Sequence, residues 1–214
     1  MRYTLLLLTM VLAACEPAAD ADFCKVMGDN LIKDPTFSTR TPRENLKHWT
    51  TAQHAGENSY QYNIDNGELN IRKIGTQPWF VFKQRMDISE QAGNKLAFSA
   101  ELKLDLQAPA IEHSFTAGGG LFLTAKARAN GQGRVLMSAS LLHEPRIGKV
   151  DWHPVQVVVE LPDKTRSLVL GGTQQADGSF SIRNPKLQRV DESKQPCDIT
   201  PGAELFKPQK SSLR

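Results

Sequence analysis

No run of Lys or Arg longer than two occurs anywhere in this chain of 214 residues. With 26 basic against 23 acidic residues the net charge is only +3, so the electrostatic footprint of a nucleic-acid binder is missing and no nucleic-acid partner is expected. Catalytic motifs are missing too. There is no G-x-S-x-G turn for a nucleophilic serine, and His48, His54, His113, His143 and His153 lack a metal-binding spacing such as H-E-x-x-H. Neither a metal nor another cofactor is expected, and no catalytic residue is assigned. Asp and Glu are scattered, which leaves open a glycosidase-type carboxylate pair, whose members need not be close in sequence. The expectation is a protein that is not an enzyme. Gly118-Gly119-Gly120 is followed by no helix start and no Lys-Ser/Thr pair, so it is not a phosphate cradle but a flexible lead into a strand. No internal repeat, second domain or long helix is visible.

What is present is alternation. From Leu96 to Leu106 every even position is apolar (Leu96, Phe98, Ala100, Leu102, Leu104, Leu106) and the odd positions between are small or polar. A period of two over eleven residues places one continuous apolar row on one face of a long strand. Such a row needs a second sheet to cover it. Residues 59–64 and 68–74 flank Asp65-Asn66-Gly67, a strong hairpin signal. Further strands are expected over 79–86, 121–128, 135–142, 154–161, 167–172 and 180–190, separated by turn residues. The fold class is therefore all-β, an antiparallel β-sandwich or jelly roll.

The N-terminus has a different character. Arg2, the apolar stretch Leu5–Leu12 and the small Ala13 and Ala14 have the anatomy of an export signal, too short to span a bilayer as a permanent helix. Leu12-Ala13-Ala14-Cys15 resembles the lipobox of bacterial lipoproteins, which implies cleavage before Cys15 and its acylation (palmitate included). Glu16 rather than Asp follows, so the resemblance implies the outer membrane of the cell envelope, facing the periplasm or beyond. With Cys15 assigned to the lipid, Cys24 and Cys197 remain as an even pair, and an oxidising compartment makes them a disulfide. The expected organisation is a signal peptide over 1–14, an acylated tether over 15–22, a sandwich over 23–198 and a flexible tail over 199–214.

Several short pieces also occur in a telling order. They are Asn30-Leu31-Ile32 with Pro35 and Phe37, then Trp49, Gly67-Glu68-Leu69, Pro78-Trp79, Gln84 and Gly93 ahead of LAFSAELK. Trp152 before a valine strand ending at Leu161-Pro162, and Gly178-Ser179-Phe180-Ser181-Ile182, complete the series. In this order they resemble the carbohydrate-binding-module branch of the galactose-binding-like jelly rolls, over residues 30–190. The resemblance implies a cleft on one sheet where aromatic residues stack on sugar rings. Two departures stand out: Ser38 follows Phe37, and the last strand reads Ile182-Arg183-Asn184-Pro185. Oxygen ligands for a structural calcium are thin at both places, so that ion is not expected.

Within this frame the candidate ligand-binding residues are Trp79, Tyr60, Tyr62, Phe122 and Arg128. Trp79 sits at a Pro-flanked strand edge where exposure is expected, whereas Trp49 and Trp152 are expected to pack. Tyr60 and Tyr62 share one strand face, which fits ordinary cross-strand aromatics first and a stacking pair for a ligand second. Phe122, Lys126 and Arg128 face one way from a single strand, placed to meet an anionic or sugar ligand. The expected function is a lipid-anchored, non-catalytic module binding carbohydrate or another envelope glycan. The rival is an accessory lipoprotein binding a protein partner. An aromatic cleft with polar rims would favour the first, a flat apolar patch of several hundred Å² the second.

Overall fold

The computed structural model describes residues 23–205. The expected signal peptide, Cys15 and its tether lie outside the described residues, as do residues 206–214 of the expected tail. Alternation became extended chain wherever it was strong. The strands are β1 Val26–Met27, β2 Thr50–Gln53, β3 Tyr60–Asp65, β4 Glu68–Lys73, β5 Phe80–Asp87 and β6 Lys95–Gln107. They continue with β7 Gly119–Lys126, β8 Val135–Ser140, β9 Gly148–Glu160, β10 Ser167–Gln174, β11 Asp177–Val190 and β12 Glu204–Leu205. Along β6 the whole even-numbered row from Leu96 to Leu106 is buried, while Lys103 and Asp105 are exposed. Between β3 and β4, Asn66 and Gly67 both take positive φ, 48° and 79°, the backbone that a tight primed hairpin turn requires.

One sheet has the order β3-β4-β11-β6-β9 with β1 added on β11, and the other β12-β8-β7-β10-β5-β2. All pairings are antiparallel. From β4 to β11 the chain changes sheet at every connection except the β7–β8 hairpin. These eight strands divide into β4-β11-β6-β9 facing β8-β7-β10-β5. Two four-stranded layers wound in this way are a jelly roll. Between them lies one apolar core. At one side Phe37, Trp49 and Phe82 pack together with ring centroids 5.1 to 5.6 Å apart, and the Trp49 indole N–H donates to the Asp34 carbonyl at 2.9 Å.

Cys24 and Cys197 form a disulfide with their Cα atoms 5.6 Å apart. It closes the fold beside the pairing of β1 with the end of β11, at Val26–Val190. Two expectations need correction. The sandwich does not stop at residue 198: the Thr200 N–H donates to the Val158 carbonyl at 2.9 Å, and β12 pairs with β8 through Leu205 and Met137. The segment is held because it supplies hydrogen bonds to strands that would otherwise be free edges. The glycine triplet is no flexible lead either, since all three residues are buried. A Cβ on Gly120 would lie within 1.9 Å of the His143 imidazole, so close packing selects glycine there.

Candidate ligand-binding clefts

The strand faces of β5, β10 and β7 turned away from the core line a cleft. On β5 the buried Phe80, Phe82, Gln84 and Met86 alternate with the outward Val81, Lys83 and Arg85. On β7 the outward set is Phe122, Thr124 and Lys126, and Val169 and Gly171 lie outward on β10 between them. Register aligns Lys83, Gly171 and Phe122 across the three strands. Gly171 leaves bare backbone between lysine and phenylalanine. A Cβ there would meet the Phe82 carbonyl oxygen at 2.0 Å, so the gap cannot be filled without moving β5.

These side chains floor a cleft of about 670 Å³, walled by the chain segments carrying Lys33 and Lys47-His48 and by the turn at Gly131. The Lys33 wall is fixed by a buried glutamine. Gln84 accepts the Lys33 N–H at 2.9 Å and donates to the Lys33 carbonyl at 2.7 Å. Arg85 donates to the Asn130 carbonyl at 2.8 Å, which ties the strand to the opposite wall. Phe122, Val81, Val135 and Val169 make the floor apolar, while Lys33, Lys47, Lys83, Arg85 and Lys126 bring five cations. Among the described residues neither Asp nor Glu lines the cleft. The nearest acid along β5, Asp87, is engaged by the N–H and hydroxyl of Ser89 at 3.0 and 2.7 Å.

A second groove of about 950 Å³ runs between the sheet edges β2 and β3. Among the described residues its lining is almost uncharged: Gln53, Asn58, Gln61, Asn63 and Asn70 surround Tyr60 and Tyr62, and Arg72 is the single cation. Again, among the described residues, no carboxylate lines it.

The five candidate residues do not form one site. Phe122 lies on the floor of the basic cleft. Arg128, expected to stand on the same face, does not reach it. The strand ends at Lys126 after a register shift beyond Ala125, and a shift of one residue breaks the two-residue period on which a shared face depends. Arg128 lies exposed in the following turn. Tyr62 is 44% exposed in the second groove, whereas Tyr60 is 3% exposed. Tyr60 stacks on Phe80 at 5.3 Å and donates its hydroxyl to the Gln77 carbonyl at 3.0 Å, so although it lines the same groove as Tyr62 its ring is almost wholly buried in the core. Burial pushes the Tyr60 phenol well above its ordinary range. Trp79 is half-buried, its ring edge-on to His54 at 6.1 Å, and it lines neither cleft.

The outer face of the other sheet is different in kind. Arg183 binds Glu101 at 2.7 Å and Glu68 at 3.1 Å and lies over the Trp152 ring, 4.2 Å from its centroid. Lys103 pairs with Asp151 at 2.9 Å. There Arg183 and Lys103 each meet carboxylates. Sequence reasoning missed Lys33, Lys47, Lys83 and Arg85 as cleft residues. Of the residues missed, only Gln84 left a signal, as a polar residue inside an apolar row.

No protein-family model matches the sequence, and no curated protein matches it. Among solved structures the chain is similar to the enzymatically active domain of bacteriophage CBA120 tailspike protein 4. The TM-score is 0.49 at 12% identity, covering 75% of this chain but only 21% of that one. It is similar to a CBM4 module with a TM-score of 0.48 at 13% identity, over 74% of this chain and 99% of the other. A third likeness, to the CBM22-1 xylan-binding domain of Paenibacillus barcinonensis Xyn10C, has a TM-score of 0.48 at 13% identity, over 78% and 98% of the two chains. The fold stands on its strand order.

Proposed function

We propose that this chain is a non-catalytic binding module that holds a glycan in the cleft on the outer face of β5, β10 and β7, at the cell envelope, through a lipid anchor at Cys15. The observation that carries the reading is the make-up of the cleft. An apolar floor centred on Phe122 lies beneath a rim of side-chain donors, which suits a ligand with apolar C–H faces and many hydroxyl acceptors. Glycosidases commonly place a pair of carboxyl groups beside the bond they cut; among the described residues the lining of these two clefts is instead amide, hydroxyl, cationic and apolar. A protein partner is the weaker reading. Among the described residues the exposed large apolar side chains are scattered over loops, β1 and Tyr62, not gathered on a flat sheet face.

The test is a glycan-array screen of the full chain, oxidised and held in non-ionic detergent, with Phe122→Ala alongside. Saturable binding that is lost in the variant is expected. A folded protein that binds no glycan would overturn the reading. Radiolabelled palmitate should enter the wild type and not Cys15→Ser; equal labelling of both would remove the anchor.

A further inference from the structure

Five cations around one cleft are out of proportion to a chain whose net charge is +3. The ion pairs among the described residues lie on the first sheet or in neighbouring loops, and none involves Lys33, Lys47, Lys83, Arg85 or Lys126. Lys83 and Lys126 are half-buried on the floor, where like charges weaken one another's hydration and repel through a medium less polar than water. Stability gives no reason to gather them there, but a bound anion does.

We infer that the ligand of this cleft is an anionic polysaccharide of the polyuronate type, with one carboxylate on each of several successive sugars. This rests on the glycan reading above and adds the charge of the ligand to it. The placement of the cations argues for repeated charges. Lys83 and Arg85 are two residues apart on β5, about 7 Å along the strand. Lys126 stands on β7, two strands away across β10, roughly 10 Å across the sheet. Lys33 and Lys47 reach in from separate walls. The cations are spread along the cleft and do not converge on one point, so a single compact anion would engage only part of them. A chain charged at intervals meets them in turn, with its sugar faces on Phe122 and Val169.

The experiment titrates the full oxidised chain with polygalacturonate, a neutral β-glucan and poly-glutamate, at low and high salt. Lys83→Gln/Lys126→Gln is compared with Lys149→Gln, an exposed lysine at the edge of the other sheet. Polygalacturonate should bind saturably and more weakly as salt rises. The double variant should lose at least about tenfold in affinity, while Lys149→Gln should not change it. Binding of the β-glucan as tight as that of polygalacturonate would overturn the charge inference and leave the glycan reading standing. Equal binding of poly-glutamate would overturn both, because only charge would then be read. No binding of any polymer by a folded chain would overturn the polyuronate inference, and the glycan reading would then stand or fall on the array.

Discussion

Replacing Gln84 by Leu tests how the wall of the basic cleft is held. Gln84 is 2% exposed in a row otherwise made of Phe80, Phe82 and Met86, and its amide is spent on both backbone groups of Lys33. Leucine fills similar space without strain but makes neither hydrogen bond. Each bond contributes about 1 kcal/mol net, and an orphaned group that stays buried costs about 1–3 kcal/mol. Lys33 is exposed, so its segment can lift and give both groups to water. That keeps the cost near the lower end, about 2 kcal/mol in all. The displacement is local. Ile32 before it and Phe37 after it are both in the core, and Asp34 still accepts the Ser38 and Thr39 N–H groups, each at 2.9 Å. Urea denaturation of the oxidised protein measures the stability, and polygalacturonate titration measures the cleft. Lower stability and weaker binding are expected together, because the lifted wall takes Lys33 away from the ligand. A variant whose stability lies within about 0.5 kcal/mol of wild type, the scatter of neutral surface changes, with unchanged affinity, would refute the clamp.

Two further outcomes follow from buried groups away from the cleft. Burial first, and His153 nearby second, push the His143 imidazole from its ordinary 6.5 down to about 4, consistent with its Nε2 accepting the Leu121 N–H at 3.1 Å. The unfolded chain takes up this proton near pH 6.5 while the folded one refuses it until about pH 4. Stability should therefore fall as pH drops through that window, by about 3 kcal/mol in total. In His143→Asn that part of the pH slope should disappear, and a persisting slope in denaturation curves would assign it elsewhere. Opening the bridge in Cys24→Ser/Cys197→Ser releases a closure spanning 173 residues, a loss of about 5 kcal/mol in the chain-entropy account. Thermal and urea unfolding would show it, and a loss below about 1 kcal/mol would mean that the unfolded chain is already compact.

Much of the fold was legible because its signals are local. The alternation of Leu96 to Leu106 fixes the inward face of β6 whatever its neighbours are, and Asn66-Gly67 fixes a hairpin from two residues. The pairing of Cys24 with Cys197 followed from counting, once Cys15 was set aside for a lipid. The misjudged ends share a cause. Residues 199–205 look like a polar, proline-containing tail, yet they find strands with free edges, and a free edge is a property of the sheet and not of the segment. The same holds for Tyr60, which is buried because Phe80 of another strand covers it.

The cleft was hidden for a stronger version of that reason. Periodicity assigns each residue of a strand to a face, but it does not say which strands lie side by side. Lys83 and Phe122 belong to one surface only because β10, whose sequence comes after both, pairs with β5 on one side and β7 on the other. Before that order is known, five cations drawn from four stretches of chain look like ordinary solvated lysines and arginines. Two local signs existed: Phe122 and Lys126 share the outward face of one strand and both line the cleft, and Gln84 is an amide in an inward slot, which must find partners or cost stability. Its partner is the backbone of Lys33. A polar residue that interrupts an apolar row therefore marks where a loop is fastened to the sheet. Here the fastened loop is a wall of the cleft, so Gln84 points to the cleft, which neither Trp79 nor Tyr62 lines.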